Sequence, residues 1–126
     1  KLKEEKDMKP FCYRAKILRV VDGDTIDVNL DLGFDIWHKT RVRLAGIDTP
    51  ESRTRNKAEK ALGKAATIKL RLLCGEKILL ESLGKGKYGR VLGIPYTIDG
   101  KNICSILIKE GHAVEYWGGK KTKVWA

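Results

Sequence analysis

Two short stretches of this chain set carboxylates beside turn-forming residues, Asp22-Gly23-Asp24 and Asp48-Thr49-Pro50. Carboxylates at the ends of neighbouring strands can meet across one cleft and hold a hard divalent cation. Backbone carbonyls and waters then complete the shell, as calcium prefers. Arg43 and Arg90 are candidates for gripping a phosphate, because a guanidinium offers a planar fork and keeps its charge at any working pH. Glu51 follows Thr49-Pro50 directly, where a carboxylate can orient or deprotonate a water. Taken singly, each residue has a plainer reading. Asp, Gly and Pro are the commonest turn formers, a lone Arg is more often surface charge, and Glu51 suits a solvated loop.

The elements that must position these groups follow from periodicity. A strand is expected around Cys12 to Val21, and the turn Asp22-Gly23-Asp24 leads into a second. There Ile26, Val28 and Leu30 alternate with polar residues, the period of a half-buried strand. Asp24 is in phase with the apolar set, so its charge needs a partner. A third strand is expected from Thr40 to Ile47, closed by Pro50. Strict alternation along it puts Arg43 on the face opposite Asp48, and a bend or bulge near Gly46 is needed to bring the two together.

From Ala58 to Cys74, Leu62, Ala66, Leu70 and Leu73 recur at helical spacing, and Gly75 suits a left-handed cap. Two more strands are expected, about Lys77 to Ser82 and Arg90 to Ile98, joined by the glycine-rich GKGKYG. Asp99-Gly100 then makes a turn. Ile103, Ile106 and Leu107 mark a short helix with Asn102 as its N-cap and Gly111 as its stop. The expected class is mainly β with helices (α+β), a five-stranded OB-fold barrel with two or three packed helices; an open α+β sheet is the rival. Residues 1–10 are charged and aperiodic and are expected to be a flexible segment, with a single domain over 11–126.

Lys and Arg number 26 against 16 Asp and Glu in 126 residues, a net charge of +10 that attracts a polyanion. Nucleic acid is the leading partner, with an acidic membrane or protein surface as the bland alternative. The three cysteines, Cys12, Cys74 and Cys104, have no CxxC spacing, which argues against a disulfide framework or zinc knuckle. They read as small core residues and lean slightly toward a reducing compartment, with secretion still open. No apolar run approaches the roughly 20 residues needed to span a bilayer, so a soluble monomer is expected.

The strings VVDGDTI (Val20 to Ile26), RLAGIDTPE (Arg43 to Glu51) and KYGR (Lys87 to Arg90), in this order, closely resemble the signature segments of the staphylococcal-nuclease family. The resemblance runs from about Ala15 to Ala113. It implies an OB-type barrel and a calcium-dependent nuclease that cuts DNA and RNA, favours unpaired strands and leaves 3′-phosphate ends. It also implies roles: Asp24 and Asp48 as calcium ligands with the backbone carbonyl of Thr49, and Asp22 as a supporting carboxylate. Arg43 and Arg90 are implied on the phosphate, Glu51 on the attacking water, and Lys57, Lys87 and Tyr88 on the substrate. One departure is Gly86, where an acidic residue commonly precedes KYGR.

In the C-terminal EYWGGKKTKVWA, Tyr116, Trp117 and Trp125 stand among lysines, a mixture suited to stacking on bases, although the tryptophans could instead cover the barrel. A non-catalytic module that binds single-stranded nucleic acid on the same fold is the main alternative. The joint presence of Asp24, Arg43, Asp48, Glu51 and Arg90 favours the enzyme.

Overall fold

The alternation of Ile26, Val28 and Leu30 with Thr25, Asp27, Asn29 and Asp31 builds β2 (Thr25–Asp31), whose apolar set is buried and whose polar set is half-exposed. In this computed structural model, residues 11–85 and 91–117 are described. The strand before it, β1 (Cys12–Asp22), pairs antiparallel with β2, and register shifts at Ile17/Arg19 and Val20/Asp22 mark irregularities that bend it. β3 (Trp37–Leu44) pairs antiparallel with β2 along its whole length, from Asp31 opposite Trp37 to Thr25 opposite Arg43.

β5 (Lys77–Lys85) pairs with β1, and β6 (Val91–Tyr96) runs antiparallel to β5 and parallel to β3. The order β1-β2-β3-β6-β5 therefore closes on itself as a five-stranded barrel. Closure removes the sheet edges, and the expected OB-like α+β architecture is the one observed. Two short strands, β4 (Ile47–Asp48) and β7 (Val114–Glu115), form a separate antiparallel pair.

The third strand was expected to run on to Ile47; it stops at Leu44 because Gly46 takes φ +80° and turns the chain. What remains of the expected strand is β4, on a new axis. The fourth strand runs past Ser82 to Lys85, and the fifth spans Val91–Tyr96 rather than reaching Ile98.

Helix α1 (Lys57–Cys74) starts at Asn56, whose side-chain oxygen accepts from the N–H groups of Ala58 and Glu59. Its buried face is Gly63, Ala66, Leu70 and Cys74, so the stripe is rotated from the expected one: Leu62 is exposed and Leu73 is only partly buried. Gly75 has the positive φ of a helix stop, +60°, but a ψ of −139° takes it out of the left-handed helical region. Helix α2 (Ile103–Lys109) is N-capped by Asn102 through the Ser105 N–H, as its sequence suggests, and Gly111 follows with φ +80°. Leu70 and Cys74 of α1 and Ile103, Cys104 and Leu107 of α2 join Val28, Val42, Ile78 and Leu80 in one core. Cys12 departs from the sequence reading: it is exposed, while Cys74 and Cys104 are buried. No described helix is long and apolar enough to cross a membrane.

Candidate active site

The turn between β1 and β2 carries Asp22, Gly23 and Asp24, and each of the three meets the segment 43–52. Asp22 accepts a hydrogen bond from Ser52 Oγ. Gly23 lies so close to Thr49 that a Cβ there would stand 2.9 Å from Thr49 Oγ1 and 2.9 Å from Ala66 Cβ. The backbone carbonyl of Asp24 accepts from the Leu44 N–H at 2.8 Å, and its carboxylate lies 3.4 Å from Arg43 Nη2. Only a residue without a side chain fits between the turn, Thr49 and α1, so Gly23 is what lets the turn carrying Asp22 and Asp24 seat against them.

Arg43 is the hub. Its Nη1 donates to Leu44 O at 2.8 Å and its Nη2 to Ile47 O at 2.9 Å, while the Asp24 carboxylate flanks the same guanidinium. The side chains of Arg43 and Asp24 are 14% and 16% exposed, so this pair sits in a partly desolvated place where charge interactions are stronger than in bulk water. A guanidinium has five N–H groups, and these bonds leave donors for a further anion. The facing conflict is resolved at Gly46: the turn there folds the chain back so that the Ile47 carbonyl comes to Arg43, with Asp48 as the next residue.

Asp48 is 6% exposed and Thr49 5%, the buried polar residues of the described chain. Asp48 is held in register opposite Val114 by the β4–β7 pair. Glu51 is exposed, and its N–H donates to Glu59 Oε2 of α1 at 3.0 Å. Behind it, Gly63 of α1 lies against the same backbone: a Cβ there would be 2.5 Å from the Glu51 carbonyl oxygen.

The donors Asp24 and Asp48 are hard oxygens, the type a calcium ion takes, and the carbonyl of Thr49 adjoins them in sequence. Among the described residues no three His, Cys, Asp or Glu side chains cluster as a metal cage. A dication here would need backbone carbonyls and waters beside the two carboxylates, which fits a calcium ion rather than zinc.

Residues 41–124 match the family described as Staphylococcal nuclease homologue. The chain belongs to this family. An uncharacterized endonuclease of Escherichia coli is 31% identical over 81% of this chain and 60% of its own length. A micrococcal nuclease of Shigella flexneri is 33% identical over 87% of this chain and 63% of its own length. A thermonuclease of Staphylococcus intermedius is 38% identical over 88% of this chain and, again, 63% of its own length. This member of the staphylococcal nuclease family thus spans 60% to 63% of the length of these relatives.

Of the residues singled out in the sequence, the structure pairs Asp24 with Arg43 and sets the turn that carries Asp22 and Asp24 against Thr49 and Ser52. Asp48 lies in the same segment, and the backbone contacts of Glu51 are with α1. Lys57 is at the exposed first turn of α1. Lys87, Tyr88 and Arg90 lie outside the described residues, as does Gly86; the strand that follows them begins at Val91, opposite Val42. Trp117 is 69% exposed and is not a core residue. Its ring covers Gly46, where a Cβ would be 2.5 Å from Trp117 Cζ2, and its Nε1 donates to Glu115 Oε1 at 3.1 Å. Trp125 lies outside the described residues.

Gly23 stands in the sequence as a turn residue, and the structure adds its close approach to Thr49 and Ala66. Ser52 and Gly63 have no place in the sequence reading; a glycine in mid-helix is the one signal that points at Gly63, since it costs about 1 kcal/mol against alanine and so implies a packing reason.

Proposed function

We propose that this chain is a calcium-dependent nuclease that hydrolyses phosphodiester bonds of DNA and RNA, prefers unpaired strands and leaves 3′-phosphate ends. The observation that carries the reading is the Arg43 guanidinium, oriented by the carbonyls of Leu44 and Ile47 and by Asp24, with buried Asp48 directly following Ile47. A donor fixed in this way beside carboxylates is preorganised for a phosphate that bridges it to a cation.

In this proposal Asp24 and Asp48 would hold a calcium ion with the Thr49 carbonyl, and the ion would supply positive charge against the phosphoryl oxygens. Glu51 takes a proton from the attacking water as its oxygen bonds to phosphorus. The bond from phosphorus to the 5′ oxygen breaks, and solvent protonates the leaving oxygen. Arg43 and Arg90 donate to the non-bridging oxygens, whose charge grows at the five-coordinate stage. Asp22, held by Ser52, supports the turn that carries Asp24. Lys57, Lys87, Tyr88 and Trp117 would contact the substrate around the scissile phosphate.

The test is zymography on single-stranded DNA with calcium or with chelator, for wild type and Glu51→Gln. Cleavage with calcium alone, strongly reduced in Glu51→Gln while oligonucleotide affinity is kept, is expected. Binding without cleavage under every condition would make the chain a non-catalytic binding module.

A further inference from the structure

Four residues at every second position of β3, Trp37, Lys39, Arg41 and Arg43, point away from the core, because Val42 between them and Val28, Leu30 and Ile26 opposite are buried. The spacing along a strand makes successive members about 6.7 Å apart, comparable with the separation of neighbouring phosphates in an extended single strand. Neighbouring strands widen the row. In register, Arg41 faces Asp27, which faces Arg19; Lys39 faces Asn29, which faces Lys16; and Lys16 faces Lys77 on β5.

The charge along this row is uneven. Arg41 is held by Asp27 through bonds of 2.8 and 3.2 Å, with Arg19 across from the same carboxylate, so that rung keeps about one positive charge. The Lys39–Lys16–Lys77 rung carries three cations and no acid. The last rung is neutral, Arg14 against Asp31, but it presents the Trp37 indole, 43% exposed, with Lys16 Nζ 4.8 Å from the ring centroid. A cation over one part of an exposed indole leaves an aromatic surface beside a positive charge, the pairing that takes a base and its phosphate together.

We infer that the outer face of β1–β2–β3 is a binding track for single-stranded nucleic acid, leading from Arg43 over Lys39 and Lys16 to a base-stacking platform at Trp37. This rests on the proposed nuclease reading, because the track begins at the residue assigned to the scissile phosphate. From Arg43 to Trp37 it covers about 20 Å, or roughly three nucleotides of extended strand. A duplex keeps its bases in the stack and offers none to the ring, whereas an unpaired strand can give its phosphates to the row and a base to Trp37. An anionic bilayer is the competing occupant, because Leu32, Phe34 and Ile36 at the β2–β3 tip are exposed next to Trp37.

The test is fluorescence anisotropy of labelled oligothymidylates of two to twelve nucleotides, in chelator so that no hydrolysis intervenes, with vesicles containing anionic lipid as a parallel arm. Wild type, Trp37→Ala, Trp37→Phe and Lys39→Gln are compared; all three substitutions are at exposed positions, and melting curves check folding.

In wild type the affinity should climb with length until the track is filled. Trp37→Ala should lose about tenfold or more in affinity for the longer oligonucleotides, and Trp37→Phe should recover most of it. Lys39→Gln should lower the salt dependence by about 0.7 log units per log of salt. Unchanged length dependence in Trp37→Ala and Lys39→Gln overturns the track even if wild type cleaves DNA with calcium. So does a Trp37→Ala protein that loses vesicle binding and keeps oligonucleotide binding. A wild type that binds with the expected length dependence but never cleaves sinks the nuclease reading and leaves the track standing.

Discussion

Gly63, in the middle of α1, lies against the backbone of Glu51, and a Cβ added at this glycine would stand 2.5 Å from the Glu51 carbonyl oxygen and 2.6 Å from Ser52 N. These are backbone atoms, which cannot swing aside as the end of a flexible side chain would. The loop carrying Glu51 and Ser52 is therefore seated on the helix at a place cut out for it, and Ser52 in turn binds Asp22.

Gly63→Ala should accordingly be destabilising. Helix propensity favours alanine by about 1 kcal/mol, but overpacking against a fixed backbone costs about 1–3 kcal/mol, so the clash wins. The displaced loop carries Glu51, so turnover should fall by more than the small loss of folded protein explains when assayed well below the melting temperature. A melting curve and a kcat measurement on a single-stranded substrate check this. A Gly63→Ala protein that melts higher than wild type with full turnover would show that the loop can move away at no cost.

Calcium should raise the melting temperature of the wild-type protein, since a ligand that binds only the folded state adds RT ln(1 + [L]/Kd). Asp24→Asn should reduce that shift as well as the activity. Arg43→Lys is expected to lower turnover about a hundredfold, because an ammonium on a flexible stem lacks the planar fork that holds two separated carbonyls on Nη1 and Nη2 and still aims fixed donors at a phosphate. Thermal shifts at graded calcium separate the two variants: the response should be weakened in Asp24→Asn and largely kept in Arg43→Lys.

Much of this arrangement was legible in the sequence, and the parts that were not share a cause. The alternation in β2 and the caps Asn56 and Asn102 are local signals, since the side chains that define them lie within a few residues of the backbone they organise. Asn102 was read as a cap directly. The rotated face of α1 could not be read, because which of Leu62, Ala66, Leu70 and Cys74 faces inward depends on the backbone of residues 51–52 approaching Gly63, a contact between distant segments. The end of β3 failed for a related reason. The alternation from Thr40 to Ile47 looks unbroken until Gly46 takes φ +80°, and the need for that turn comes from the β4–β7 pair across the chain. The same alternation puts Arg43 on the face opposite Asp48 and asks for a bend near Gly46; the structure has a turn there, at φ +80°, which brings the Ile47 carbonyl to Arg43. Ser52 carried no signal at all, since a serine in a polar loop is what any loop contains.

The cysteines should differ sharply in reactivity. Burial pushes the Cys74 and Cys104 thiols up to about 12, whereas Cys12 is exposed. The thiolate is the reactive form, so at pH 8 the native protein should label quickly at one cysteine and at all three only after denaturation. A thiol with a raised folded-state pKa stays protonated when the unfolded chain begins to ionise near its ordinary value of 9.0. Stability from these groups is then constant below about pH 9 and declines as pH rises from there toward about 12. Rapid modification of Cys74 or Cys104 in the folded protein, read by mass spectrometry of peptides, would contradict their burial.

The ion pair between Arg41 and Asp27 offers a way to tune the proposed track without touching the cleft. The Arg41 guanidinium holds the Asp27 carboxyl below its ordinary value, chiefly through the side-chain hydrogen bond, which outweighs the opposing effect of desolvation, with smaller help from the charges of Arg41 and Arg19. Because the folded-state pKa is lowered, the pair contributes stability above the unfolded carboxylate pKa and loses it as pH falls through the lower folded value. That contribution should be small, since Arg41 is 59% exposed and surface pairs are screened by water.

The effect on binding should be larger than the effect on folding. Asp27→Asn removes the carboxylate from a rung shared with Arg19 and Arg41, leaving both cations to face the phosphates. Affinity for a twelve-nucleotide single strand should rise, and its salt dependence should steepen by up to about 0.7 log units per log of salt. Wild type should approach the mutant's affinity only in acid, once its own Asp27 is protonated. Anisotropy titrations at several salt concentrations, at neutral and acid pH, measure both quantities. If Asp27→Asn binds no more tightly than wild type at neutral pH while melting at the same temperature, the strand does not pass over Arg41, and the basic row on β3 is ordinary surface charge.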